Sequence, residues 1–248
     1  TPMDKMLDFP AVALIRFFKN HGFLGLNTQH QWYTLENGSQ AYREILIKPF
    51  KDRIHINNAV VKVRRTENGK AILSLKDGTS KDFDKVIFAS HADETLKMLD
   101  QPTDEEKRLL TPFKYQKNSA TVHTDESTMP KNKTTWSSWN YRIEERNGEQ
   151  IPTTIYWMNS LQGVSKKKNY FVSINAIPET VDKKKILKEI MYEHPLFDVA
   201  AINAQKELPT LNQKGPLYYC GSYFKYGFHE DAYASAVALC EKLLRNTN

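Results

Sequence analysis

The sequence predicts a mixed α/β, α+β fold in which an antiparallel sheet with helices accompanies part of a parallel strand–helix layer. Three observations predict it. The run Lys85-Val86-Ile87-Phe88-Ala89 has the continuous apolar character of a strand buried on both faces. The closing stretch, Leu217 to Leu244, reads as a strand, a turn bracketed by Gly221 and Gly227, and a helix from about Glu230. Between them, residues 113–175 alternate short apolar segments with polar turns, the pattern of an antiparallel sheet.

The elements follow in order. A helical turn is expected over Met3–Leu7, with Asp8 as cap and Pro10 as the first helical residue of Ala11–Asn20, which Gly22 ends. Gln31–Ser39 reads as an extended segment ending in a turn, and Gln40–Pro49 as a helix. Arg53–Ile56 and Ala59–Arg65 read as strands. Asn68-Gly69 is a hairpin signal before the returning strand Ala71–Leu75. Helices are expected over His91–Leu99 and Thr103–Leu110, the second with a Thr103/Glu106 capping box. Strands are expected over Ser119–Thr124, Thr134–Arg142, Thr153–Met158 and Tyr170–Asn175, and a helix over Val181–Tyr192 that ends before Pro195. No internal repeat or free linker is visible.

Composition bounds the function. The chain has 248 residues, 40% of them hydrophobic and 26% charged, enough for a core that buries roughly 70–75% of the unfolded surface. No apolar run is long enough to span a bilayer. Net charge is +6, concentrated in Lys166–Lys168 and Lys183–Lys185. These read as solvated loop or helix-start residues, or as a basic face for peripheral membrane contact. The aromatic residues are not interleaved with the lysines, which argues against a nucleic-acid groove. Cys220 and Cys240 both fall at apolar positions, so two buried thiols in a reducing, cytoplasmic setting are expected.

The histidines show no metal-binding spacing. His229-Glu230-Asp231 point in different directions at a helix start, where capping or pocket lining fits better than metal ligation, so no metal site is expected. No G-x-G-x-x-G, Walker A or G-x-S-x-G motif occurs. Trp136-Ser137-Ser138-Trp139-Asn140-Tyr141 and Trp157-Met158-Asn159 combine aromatics with amides. They fit either a pocket wall or ordinary cross-strand packing. The turn before the last helix offers backbone N–H groups to electron-rich oxygens.

Several stretches together resemble the flavin-containing amine oxidase superfamily, in particular its bacterial predicted NAD/FAD-binding members. They are Trp32–Ser39, Ile54–Val63, Phe83–Ser90 and the closing Gly221–Asp231, with His123-Thr124-Asp125 and Ser138–Tyr141 in support. The resemblance covers nearly the whole chain, but only the part that follows the family's N-terminal dinucleotide-binding segment, so a truncated chain or fragment is expected. Asn37 stands where the family usually has Gly. The resemblance implies a substrate domain over 1–50 and 102–212, and parts of a cofactor-binding domain over 51–101 and 213–248. It implies FAD as cofactor, with contacts from Val60, Ala89, Ser90, Gly221, Ser222, Gly227, Phe228, His229, Glu230 and Asp231. It implies a small-molecule substrate, an amine or an apolar, lipid-like compound, lying between the flavin and the 113–175 sheet against Trp139, Asn140 and Trp157. It suggests Lys117 for a lysine linked through water to the flavin, and names no catalytic residue. It also implies that FAD is held weakly without the pyrophosphate grip, so that the chain alone is catalytically incompetent. A larger side chain at Gly227 is expected to remove the flavin while sparing the fold. The rival reading is a non-catalytic lipid- or partner-binding module on a flavoprotein-derived fold.

Overall fold

A computed structural model describes Leu7 and residues 9–245. In chain order it contains α1 (Ala11–Asn20), α2 (Gly38–Ile47), β1 (Val60–Arg65), β2 (Ala71–Leu75), β3 (Ser80–Phe83), β4 (Val86–Phe88), α3 (Ala92–Met98) and α4 (Asp104–Leu110). There follow β5 (Lys114–His123), β6 (Trp139–Arg146), β7 (Glu149–Trp157), α5 (Met158–Gln162), β8 (Phe171–Ile174), β9 (Ile186–Leu196), α6 (Val199–Gln205), β10 (Leu217–Tyr219) and α7 (His229–Arg245). The expected turn over 3–7 and its Asp8 cap rest on residues outside this described set. Among the described residues no helix is long and apolar enough to cross a membrane.

The chain divides into two compact units. The first comprises residues 1–29, 52–115 and 195–248. It carries the meander β1-β2-β3 and the parallel pair β10-β4. Its core gathers Val63, Phe88, Leu109, Leu110, Phe113, Leu208, Leu217, Tyr219 and Tyr223, and each large apolar side chain fully buried there contributes about 1.5–3 kcal/mol. The second unit comprises residues 30–51 and 116–194. Its five-stranded sheet has the order β6-β7-β8-β5-β9, with Met129, Ile155 and Phe171 buried and Trp136 and Trp157 packed against them.

Local chemistry explains most boundaries. Asn147 and Gly148, with φ of 54° and 79°, make the two-residue turn between β6 and β7, whose register closes on Arg146 opposite Glu149. Thr103 caps α4 through the full capping box: its Oγ accepts from Glu106 N–H, and Glu106 Oε2 accepts from Thr103 N–H at 2.8 Å. Pro10 sits at the N-cap of α1 rather than inside it, with ψ at 122°.

Three expectations are corrected. Arg53–Ile56 is not a strand: a 3-10 segment covers Lys48–Arg53 and the following residues are irregular. Val181–Tyr192 is not a helix. After a 3-10 turn at Lys183–Lys185 the chain enters β9. The four-residue spacing of Ile186 and Ile190 is one helical turn but also two pleats of a strand, and the helix-forming Leu187, Lys188 and Glu189 between them hide the difference. Pro195 near the end of β9 is tolerated because β9 is an edge strand. Of the two thiols, Cys220 is buried but Cys240 is exposed.

Candidate functional site

The parallel pair in the first unit runs in register from Leu217 opposite Val86 to Tyr219 opposite Phe88. Both strands end at one edge, where Ala89-Ser90 leaves β4 and Cys220-Gly221-Ser222 leaves β10. Open α/β sheets bind ligands in the crevice beyond the carboxyl ends of such strands. Ala89 is exposed, and Ser90, Gly221 and Ser222 are half-buried.

Three devices hold that edge. The Phe88 and Tyr219 rings stack at 5.4 Å across the strands. Cys220 N–H donates to Phe88 O and Val86 N–H to Pro216 O, so the backbone groups of Tyr219 face away from β4. Asn212 takes both of them: its Nδ2 donates to Tyr219 O at 2.8 Å, and its Oδ1 accepts from Tyr219 N–H at 2.7 Å. One buried amide thus stands in for a neighbouring strand. Beneath the edge, the Tyr219 hydroxyl and Arg65 both donate to Oε1 of Glu106, the carboxylate already engaged in the capping box. Burial pushes the Glu106 carboxyl up, and the bonds from Arg65, Tyr219 and Thr103 reverse this and hold it below its ordinary value.

On the β4 side, Ala92 N–H at the start of α3 donates to the Tyr115 hydroxyl at 3.0 Å, and the Tyr115 ring stacks on His91 at 4.0 Å. Burial pushes the Tyr115 phenol up to about 12, so it stays protonated at neutral pH. Ser90 Oγ and Thr95 Oγ1 are hydrogen-bonded at 2.8 Å. Burial also pushes the Cys220 thiol up, which removes it as a nucleophile at neutral pH.

The start of α7 carries fewer spare donors than its sequence suggests. Asp231 is buried, and its Oδ2 accepts from Tyr226 N–H at 3.1 Å and Phe228 N–H at 3.0 Å. Asp231 N–H and Ala232 N–H both donate to Phe228 O. The helix start therefore already holds an internal carboxylate, as its dipole favours. Asp231 turns back on its own loop. Phe228, His229 and Glu230 are exposed.

Gly227 has φ of 91°, and a Cβ there would lie 3.1 Å from the Phe197 ring and 3.2 Å from Pro195. This position needs glycine for the backbone itself, so a larger residue there does not spare the fold. Gly227→Ala is expected to cost about 1–3 kcal/mol, read as a lowered urea midpoint. An unchanged midpoint would show that the loop relaxes freely.

Val60 also lies in the first unit, half-buried at the start of β1 where the register with β2 slips between Val60 and Lys62. The other expected residues lie in the second unit. Trp139 is 63% exposed. Asn140 is committed locally: its Oδ1 accepts from Ser137 N–H, and its Nδ2 donates to Ser137 O and Ile155 O. Trp157 packs into the core and donates from Nε1 to Asn169 Oδ1 at 2.9 Å. Lys117 is exposed on β5. His123 is buried, with Nδ1 accepting from Asp125 N–H and Nε2 within 2.8 Å of Ser173 Oγ. Since Nδ1 accepts, Nε2 carries the proton and donates. The His123-Thr124-Asp125 stretch is thus part of the sheet's internal framework.

Sequence reading missed Asn212, Arg65 and the second role of Glu106. Only the capping box is visible in the sequence, because no local pattern marks the pairing of Asn212 with Tyr219 or of Arg65 with Glu106.

Residues 9–176 match the family model described as flavin containing amine oxidoreductase. No curated protein matches the sequence. Among solved structures, a CLA-producing fatty acid isomerase from P. acnes aligns with a TM-score of 0.55 at 15% identity, over 83% of this chain and 52% of that one. Putrescine oxidase bound to putrescine aligns with a TM-score of 0.56 at 10% identity, over 84% and 53%. Cyclohexylamine oxidase from Brevibacterium oxydans IH-35A aligns with a TM-score of 0.58 at 10% identity, over 90% and 57%. At these identities the likeness is one of fold, and the chain spans about half the length of each.

Proposed function

The chain belongs to the flavin-containing amine oxidoreductase family, and from that membership we propose that it forms the flavin-ring and substrate portion of an FAD-dependent oxidoreductase. One observation carries the placement. The parallel strands β4 and β10 deliver Ala89-Ser90 and Gly221-Ser222 to a single edge, in the same unit as the start of α7. The residues fit a flat ring at this edge. Ala89 and the two glycines keep bulk away from it, and exposed Phe228 and His229 supply side chains for contact.

When bound, the flavin would supply the two-electron acceptor for hydride. The chain's own part is positioning. Asn212 and the Phe88–Tyr219 stack fix the strand end. Asp231 takes up the Tyr226 and Phe228 amides of the loop before α7, which leaves Glu230 and its neighbours to orient the ring edge or the ribityl hydroxyls. Val60 is the residue proposed for the adenine end. Phosphate binding is not assigned to this chain, which has no G-x-G-x-x-G.

For the substrate we favour an apolar or lipid-like compound over a small diamine. The support is the exposed row Trp139, Tyr141 and Ile143 on one face of β6. Asn140 and Trp157 have their polar groups engaged within the protein, so Trp139 is the strongest of the three for substrate contact.

The test is titration of FAD with the full chain, followed by flavin fluorescence, for the natural sequence and for Ala89→Leu. Ala89 is exposed, so the variant should unfold at the same urea midpoint. Its FAD affinity should fall at least about tenfold, the effect of losing 1.4 kcal/mol. Equal affinity in the two chains would place the ring elsewhere.

A further inference from the structure

The two lysine runs stand apart in sequence, but the second unit brings the first run and Lys185 of the second to one concavity of about 680 Å³. Lys166, Lys167, Lys168 and Lys185 line it, with Thr124 and Asn169 among its polar residues. The first run is carried on a fixed loop. Asn159 Nδ2 donates to Ser165 O at 2.6 Å and to Lys168 O at 2.8 Å, and Ser165 Oγ accepts from Lys167 N–H and Lys168 N–H. The ammonium groups are therefore displayed by an ordered backbone, at a smaller entropic cost than a floppy run would carry.

The charge of the first run is also unspent. Lys185 pairs with Asp125 at 2.9 Å, and Glu126, the pocket's one carboxylate, is held by Lys133 and by Asn169 Nδ2. Among the described residues, Lys166, Lys167 and Lys168 form no ion pair, and all three are exposed. The same segment exposes apolar side chains: Val164 is 51% and Leu161 37% exposed. Cations beside exposed aliphatic residues are the pairing that a bilayer interface rewards, with headgroup phosphates for the ammonium groups and the acyl boundary for the apolar ones. A small anion sunk into the pocket would instead meet the Glu126 carboxylate.

We propose that the Leu161–Lys168 loop, with Lys185 beside it, is a peripheral docking surface for a membrane rich in anionic phospholipid. The proposal is independent of the flavin reading.

The experiment is cosedimentation of the full chain with vesicles of phosphatidylcholine alone and of phosphatidylcholine with phosphatidylglycerol. Binding is expected only to the anionic vesicles and should fall as salt rises. Lys166→Gln, Lys167→Gln and Lys168→Gln combined should weaken it roughly a hundredfold, from about tenfold or less per lysine. Val164→Ser alone should weaken it by about threefold or more, since apolar burial adds to the attraction. Failure of the natural chain to bind anionic vesicles overturns the proposal. So does undiminished binding by the triple variant, or equal charge-driven binding to duplex DNA. Displacement by millimolar inorganic phosphate would overturn it too, because it would make the pocket a small-anion site. If the triple variant does not fold, the salt series and Val164→Ser decide the question on their own.

Discussion

Replacing Glu106 with alanine is expected to lower the stability of the first unit by about 2–4 kcal/mol. The side chain is 2% exposed and accepts from Thr103 N–H, Thr103 Oγ1, Arg65 and the Tyr219 hydroxyl. Loss of the α4 cap accounts for about 1 kcal/mol. Leaving the buried Tyr219 hydroxyl without its acceptor adds about 1–3 kcal/mol. The Arg65 contribution is small, because its side chain is a third exposed and can turn to water. Glu106→Gln keeps an acceptor for the cap and should recover about half of the loss. The check is the urea midpoint of the far-UV signal. A shift worth less than about 1 kcal/mol in Glu106→Ala would mean that the network does not bear on the strand end that carries Gly221.

Asp125→Ala should have a comparable effect on the second unit, about 2–4 kcal/mol, and should change its acid response. Asp125 is 1% exposed. Its Oδ1 accepts from Ser127 N–H, Ser127 Oγ and Lys185 Nζ, and its Oδ2 from Asp182 N–H at 2.8 Å. It thereby ties the turn after β5 to the turn that starts β9. The carboxylate itself is buried while its donors Ser127, Asp182 and Lys185 lie on exposed residues, so the cost is the loss of these charge-assisted bonds and of the tie between the two turns. Burial pushes the carboxyl up, but the bonds from Asp182, Lys185 and Ser127 outweigh it and hold the group well below the carboxylate range. A depressed carboxyl stabilises above its unfolded value, near 3.9, and that contribution is lost as pH falls toward the folded value.

His123 acts earlier on the same titration. Burial pushes its imidazole down, so the fold binds the neutral form. The unfolded chain takes up protons below about 6.5, and stability declines from there downward. All four tryptophans, Trp32, Trp136, Trp139 and Trp157, lie in this unit, so tryptophan fluorescence follows it selectively. The natural chain should lose stability in two stages, below about pH 6.5 and again below about pH 4. Asp125→Ala should keep the first stage and lose most of the second, leaving the part due to Glu126, whose carboxyl Asn169 and Lys133 also hold below its ordinary value. Two intact stages in the variant would assign the lower one to another carboxylate.

What could be read from the sequence was local. The Asn147-Gly148 turn, the Thr103/Glu106 box and the apolar run ending at Phe88 each signal structure within a few residues, and each is present, although Ile87 is 45% exposed, so that strand is not buried on both faces. The same is true of the closing strand, turn and helix. The β9 segment was misread because a four-residue apolar spacing serves a helix and a strand alike. What supports the candidate site was invisible for a different reason. Asn212 reaches Tyr219, Arg65 reaches Glu106, and Lys185 reaches Asp125 across 7, 41 and 60 positions, and no local pattern encodes such partners. The sequence shows a glycine at position 227 but not why the position needs one. The Phe197 and Pro195 rings beside it come from a part of the chain that the sequence reading had placed at a helix end.

The central claim is that this chain grips the flavin ring and not the phosphates. The most direct measurement is a set of equilibrium titrations of the full chain with riboflavin, FAD and ADP, read by flavin fluorescence and, for ADP, by competition. Riboflavin and FAD should bind within about tenfold of each other, a difference under about 1.4 kcal/mol, and ADP, left with the Val60 contact alone, should compete far more weakly than riboflavin. Displacement of FAD by ADP, with no binding of riboflavin, would contradict the claim and put the cofactor's grip at its nucleotide end.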